Sequence, residues 1–412
     1  MNKSPMDQFG YYLVGNYKTY SKIEALERAH LFNIPIKWIF NDDVFSNHPW
    51  HIDTQEDIKK LYKKRAEQIR NKYDYIVLWY SGGADSFTVL KTFQENNIHV
   101  DEIAQYHAYE GEKTWNSYLN KEIETVALPQ TQEFLKKMPH TKHRIVDLTP
   151  IIKSVYDLDD NKFNFIYKSN KSFGPDQLAR TYFREKILDW QKIIASGKKL
   201  CFIWATDKPP VRYDDINNKY YLEFMDIIDG AGVGPRTQML NRQEEYDELF
   251  YWSPDAVDII ARQAHIIINY LRNTPKQDLD STYLTKDPCS YAMAFDGDVV
   301  PVLYRKSKTS TIINNLKYYL TTKGLHRLIY PDWEEDTFTL GKQLSNIFNI
   351  RDRWWFNEHE DKDQTMFIGA IQSYYKKFTR WGFDFFKQSH LNHDFRNINI
   401  DQCFSKKYYL EI

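Results

Sequence analysis

Six consecutive residues, Ser81-Gly82-Gly83-Ala84-Asp85-Ser86, are of the types that hold a phosphate group. Glycines at 82 and 83 let the backbone take φ values closed to other residues and let a ligand come close. Ser81 and Ser86 add hydroxyls. Asp85 is the odd member, because a carboxylate beside a phosphate repels it unless a divalent cation bridges the two. The chemistry predicted is an anion cradle with Mg²⁺ held at Asp85. A second stretch, Ala205-Thr206-Asp207-Lys208-Pro209-Pro210-Val211-Arg212, sets two cations on a proline-stiffened segment. Lys208 and Arg212 enter as candidates on position alone, with an ordinary charged loop as the plainer reading.

Both stretches need a scaffold to bring them together. Residues 75–80 form a continuous apolar run, the pattern of a strand buried on both faces of a parallel sheet. From Asp85 onward Phe87, Val89, Leu90 and Phe93 recur at helical spacing, so a helix is expected from about Ala84. Strand, glycine turn and helix would aim the unpaired amides of the helix N-terminus, and the favourable end of its dipole, at an anion. Further strands are predicted over 98–107, 143–148 and 199–204, the last leading directly into Lys208 and Arg212. Helices are predicted over 17–33, 52–73, 114–137 with a break near Pro129, 176–195 and 256–272. A short strand is predicted over 36–40. Ser253 is a good N-cap with Pro254 at the first helical position, and Tyr251 and Trp252 read as core. Polar residues 157–174 and the glycine-rich 229–236 read as loops over the site. Beyond 276 the composition shifts, with a hairpin signal at Asp296-Gly297, a loop at 305–311 and helices near 312–322, 341–348 and 364–380.

In this strand-and-helix setting the fingerprint S-G-G-x-D-S resembles the PP-loop of the ATP pyrophosphatase superfamily, whose members include the synthetase domain of asparagine synthetase, GMP synthetase and NAD synthetase. The resemblance covers roughly residues 73–215, and the whole layout also resembles phage-borne PP-loop proteins. It implies an α/β fold: a doubly wound, mostly parallel sheet of the PP-loop (HUP-like) type with flanking N-terminal and C-terminal α+β regions. The divisions expected are an N-terminal preamble over 1–70, a nucleotide-binding domain over 71–275 and a C-terminal region over 276–412 that selects the acceptor. ATP and Mg²⁺ are the implied cofactors. Ser81, Gly82, Gly83, Ala84, Asp85 and Ser86 would contact ATP, Asp85 would hold the metal, and Asp85, Lys208 and Arg212 would serve catalysis. The implied reaction splits ATP between its α and β phosphorus atoms, transfers AMP to an acceptor oxygen and releases pyrophosphate, after which a nitrogen nucleophile displaces AMP.

Other features narrow the choice. No G-x-x-x-x-G-K-[ST] occurs, and Gly230-Ala231-Gly232-Val233-Gly234 is followed by Pro235 where a dinucleotide fingerprint needs another glycine. Position 2 is Asn, so the glutaminase nucleophile of asparagine synthetase is missing and ammonia would be free or come from a separate donor. No C-x-x-C exists among Cys201, Cys289 and Cys403, which argues against the cysteine-pair branch of tRNA thiolation and against a structural zinc site. His140 with His143, and His390 with His393, each lack an evident third ligand. A net charge of −1 gives no global attraction to nucleic acid, and no apolar run reaches a membrane span's roughly 20 residues. The expected place is the cytoplasm, that of the host if the gene is phage-borne. Aromatic residues make up 16% of the chain, read mainly as core and secondarily as base-stacking surface. Three classes stay open: an adenylating C–N ligase acting on a small molecule or nucleotide, a nucleic-acid modifying enzyme of the same chemistry, and a nucleotide-binding module without turnover.

Overall fold

The computed structural model describes residues 5–20, 22–82, 84–107, 127–147, 187–205, 211–214, 216–224, 245–273, 329 and 403–412. From the N-terminus, β1 (Tyr11–Val14), β2 (Tyr17–Thr19), α1 (Lys22–Phe32), β3 (Ile36–Ile39), α2 (Asp42–Phe45) and α3 (Ile58–Lys72) precede the main sheet. Then come β4 (Tyr75–Trp79), α4 (Ala84–Glu95), β5 (Glu102–His107), α5 (Leu128–Lys137), β6 (Lys142–Asp147), α6 (Leu188–Ala195) and β7 (Leu200–Trp204). A hairpin of β8 (Val211–Asp214) and β9 (Lys219–Leu222) follows, then β10 (Glu245–Leu249), α7 (Val257–Asn273) and β11 (Tyr408–Tyr409).

The main sheet has the strand order β10-β7-β4-β5-β6, and all four of its pairings are parallel. Chain order thus runs one way from β4 to β6 and the other way from β7 to β10. Right-handed crossovers then put α4 and α5 on one face and α6 on the other. Phe87 of α4 and Phe134 of α5 meet at 5.4 Å between ring centroids. Trp190 of α6 packs on Trp79 and Phe202 at 5.9 and 4.9 Å. The expected α/β, doubly wound, parallel fold is the one present. Covered on both faces, β4 (YIVLW) and β7 (LCFIW) can be almost wholly apolar, and apart from the half-buried Tyr75 every one of their side chains is buried.

Several boundaries differ from expectation. Residues 17–19 pair with β1 as a strand, and the helix within the 17–33 stretch, whose helical spacing begins with Ile23, runs from Lys22 to Phe32. The helix expected over 52–73 starts at Ile58, because the Asp57 carboxylate accepts the amides of Lys59 (2.7 Å) and Lys60 (3.3 Å) and caps it there. The strand expected from 98 begins at Glu102; of the helix expected over 114–137, residues 114–126 lie outside the described residues, and α5 starts at Leu128 with Pro129 in its first turn. Arg212, expected on a loop, stands on β8 opposite Tyr221. Nothing in the sequence pattern announced β1, β9 or β10. Residues 157–174, 229–236, Asp296-Gly297, 305–322, 341–348, 364–380, His390 and His393 lie outside the described residues.

Aromatic side chains fill the interior: Trp190, Trp252, Tyr12, Tyr62, Tyr80, Tyr251, Phe40, Phe45 and Phe93 are fully buried. One cluster joins distant pieces. Phe45 meets Phe224 at 4.7 Å and Tyr408 at 6.0 Å, and Phe40 meets Trp252 at 6.0 Å. Residues 403–412 are thereby seated: β11 pairs antiparallel with β9, Ser405 N donates to Phe224 O at 2.9 Å, and the Tyr408 hydroxyl reaches Asp42 at 3.2 Å. Ile329 is buried as well, its carbonyl accepting the Tyr62 hydroxyl at 2.8 Å. Cys201 and Cys403 are both buried, and no disulfide joins them. Among the described residues no helix is long and apolar enough to cross a membrane.

Candidate functional site

In an open α/β sheet the crevice for a ligand lies beyond the carboxyl ends of the strands where the strand order reverses. Here that point lies between β4 and β7, and residues 81–86 leave β4 at it. Tyr80 still belongs to the sheet, its amide donating to Ala104 O at 2.9 Å. Ser81 then turns outward and is exposed.

Gly82 makes the turn possible in two ways. Its φ is +82°, in the left-handed region. A Cβ there would also stand 2.9 Å from Ala127 N, 3.0 Å from Ala127 Cα and 3.1 Å from its Cβ. The turn closes on the first turn of α4, where the Ser86 hydroxyl oxygen accepts Ser81 N at 3.3 Å and lies 3.2 Å from Ser81 Oγ. Ser86 is buried, so it holds the loop's shape, while Ser81 faces outward. Ala84 opens α4 and half-buried Asp85 sits in its first turn, where a carboxylate also suits the helix dipole.

The wall facing Gly82 is the start of α5, pinned from three directions. The Tyr80 hydroxyl donates to Gln130 Oε1. Thr131 Oγ1 donates to Ala127 O at 2.7 Å and accepts Gln105 Nε2 at 2.8 Å. Since that amide nitrogen serves Thr131, the Gln105 oxygen, 2.9 Å from His143 Nε2, is an acceptor and His143 carries its proton on Nε2. Burial shifts the ring's pKa down from its ordinary value, outweighing the pull of Glu102 in the other direction. Across the loop from this wall, the Tyr251 hydroxyl donates to Asp85 O at 3.0 Å.

Ser81, Gly82, Ala84, Asp85 and Ser86 are therefore contiguous at the switch point, whereas Gly83, Asp207 and Lys208 lie outside the described residues. Arg212 is placed by its backbone on β8, in the chain that follows β7. Among the described residues no three His, Cys, Asp or Glu side chains form a metal-holding group. Asp85 offers a carboxylate here, and Mg²⁺ is an ion held by one or two carboxylates with phosphate oxygens and water completing its shell. Ala127, Gln130 and Tyr251 were not expected at the site. Only the spacing of Ser, Gly and Asp marks a cradle in sequence, and its walls come from elements distant along the chain.

Gly82→Val should weaken binding of ATP with Mg²⁺ by tenfold or more, on the order of 1.4 kcal/mol. The left-handed φ alone costs a side chain about 1–2 kcal/mol, and the Cβ must displace the backbone of Ala127. Calorimetric titration of the folded variant checks this, and unchanged affinity would remove the cradle reading.

No protein-family model matches the chain. No curated protein matches it either. Among solved structures, it is similar to the crystal structure of NAD+ synthetase from Burkholderia pseudomallei, with 13% identity and a TM-score of 0.23 over 40% of this chain. The chain spans 57% of that protein's length. Likeness of that extent adds nothing to what the strand order and the loop geometry show.

Proposed function

We propose that the chain is an ATP-dependent adenylating enzyme of the PP-loop type. An acceptor oxygen attacks the α phosphorus of ATP, the bond to the β phosphate breaks, and AMP stays on the acceptor while pyrophosphate leaves. The observation that carries this reading is the serine–glycine turn with Gly82 at φ +82°, set between a buried parallel strand and a helix where the strand order reverses. The loop amides and the N-terminus of α4 take up charge on the departing pyrophosphate. Asp85 holds Mg²⁺, which supplies Lewis-acid neutralisation of phosphate oxygens when bound. Lys208 and Arg212 contribute cations from the chain after β7.

Such a transfer asks the protein for positioning and charge compensation and for no covalent intermediate of its own. A nitrogen nucleophile, either an amine or ammonia from a separate donor, then displaces AMP and leaves a new C–N bond on a small-molecule or nucleotide acceptor. Residues 71–275 other than 157–174 serve the nucleotide, and 276–412 together with 157–174 serve the acceptor.

Incubation with ATP, Mg²⁺ and a cellular metabolite extract is expected to yield AMP and pyrophosphate in equal amounts, with the acceptor found by its mass shift. A kinase or ATPase would use a lysine-bearing loop on the β and γ phosphates, and the sequence has no such motif. Release of ADP and phosphate would therefore overturn the proposal.

A further inference from the structure

Tyr251 lies on the link between β10 and α7 and has no exposed surface. A phenol taken out of water must place its hydroxyl hydrogen on an acceptor, and here that acceptor is the main-chain oxygen of Asp85. Packing alone does not ask for this bond, since phenylalanine would fill the same space. The ring stands at 74° to that of Tyr62 on α3, with centroids 5.7 Å apart. Tyr62 is also fully buried, and its hydroxyl is committed on both sides: it donates to Ile329 O at 2.8 Å and accepts Gln263 Nε2 of α7 at 2.9 Å. A continuous series of contacts therefore runs from Ile329 through Tyr62 and Tyr251 to the first turn of α4. It joins segments separated by 267 and 166 residues in the two bonds at its ends.

We propose that Tyr251 is a positioning residue for Asp85, and that Tyr62, held by its bonds to Ile329 O and Gln263, in turn fixes the Tyr251 ring and so the first turn of α4. The functional meaning rests on the reading above, in which Asp85 serves Mg²⁺ and ATP and residues 276–412 serve the acceptor. A close-packed interior passes a displaced ring on to its neighbours, so losing the Tyr62 hydroxyl bonds would loosen Tyr62, then Tyr251, then the Asp85 carbonyl.

The test uses Tyr251→Phe and Tyr62→Phe in the full chain, since each keeps the ring and removes one hydroxyl. Hydrogen exchange on the nucleotide-free protein is expected to speed up about three- to tenfold at amides 85–89 in both variants, the size of one lost hydrogen bond, with β7 unchanged. Binding of ATP with Mg²⁺ should weaken by a similar factor. Unchanged exchange at 85–89 in Tyr251→Phe overturns the positioning role, and the same result in Tyr62→Phe overturns the coupling. A uniform rise that includes β7 also counts against the proposal, because it reports general destabilisation. If the parent chain binds no ATP with Mg²⁺, the nucleotide reading fails, while the exchange data still decide whether Tyr251 holds Asp85.

Discussion

Asp85→Ala is expected to lose AMP and pyrophosphate formation by about 10²–10³-fold, roughly 3–4 kcal/mol of transition-state stabilisation, while unfolding close to the parent's denaturant midpoint. The two effects separate because of where the residue sits. Its side chain is half-buried at the start of α4, and the hydrogen bond from Tyr251 goes to its main-chain oxygen, which the substitution leaves in place. The structural loss includes a favourable charge at a helix N-terminus, about 0.3–1 kcal/mol. Initial rates over a range of Mg²⁺ concentrations, together with urea unfolding, check both halves. A variant that loses about 1 kcal/mol of stability and keeps its turnover would make Asp85 a helix-end acid with no part in the chemistry.

Glu248→Gln should cost about 3–5 kcal/mol of folding stability, the usual effect of stripping one partner from a buried ion pair. Glu248 and Arg65 are each 1% exposed, with 2.7 Å between Oε2 and Nη2. Arg65 also donates to Leu249 O at 2.9 Å, so the pair fastens α3 to the end of β10. Lys72 at 2.8 Å and the Tyr73 hydroxyl complete the shell of the carboxylate. Burial works against the charge on Glu248, but Arg65 and Lys72, with the hydrogen bonds of Lys72 and Tyr73, outweigh it and hold the group below its ordinary value of 4.5. A depressed carboxylate contributes stability that is fully present above the unfolded-state value and fades as pH falls from about 4.5 through the folded one. The parent should therefore lose stability with acid across that window, and the variant should show a shallower decline there. Urea midpoints at pH 7 and at steps below pH 5 measure both. Exposed Lys72 contributes little by itself, so Lys72→Ala should fall within about 1 kcal/mol of the parent.

The same cluster explains what could and could not be read from sequence. β4 and the turn after it were legible because an apolar run, two glycines and a helical repeat are local signals. β10 is Glu-Tyr-Asp-Glu-Leu, a polar run by any hydropathy measure. It forms the edge of the sheet beside β7, where Arg65 and Lys72 offset the charge of Glu248, the Tyr73 hydroxyl donates to it, and the Trp204 indole donates to Asp247 at 2.6 Å. Those partners lie up to 183 residues away, beyond the reach of any window. In the site, Ser81, Gly82, Asp85 and Ser86 were legible as types at a spacing. Tyr251 reads as core and is core, and its hydroxyl gains a role only once β10 places it over α4.

Residues 403–412 carry a consequence for how the molecule is made. Phe224 and Ser405 bond across 181 residues, and β11 covers the open edge of β9 in a sheet of order β11-β9-β8. During translation the hairpin can form as soon as it clears the ribosome, but its outer strand must wait until nearly two hundred further residues have been added. Closing so long a loop is entropically costly and slow. Until then β9 presents unpaired amides and carbonyls beside Tyr220 and Leu222, a template on which the 403–412 segment of a neighbouring nascent chain could seat itself in place of its own. The yield of monomer should accordingly fall with expression rate and recover when synthesis is slowed.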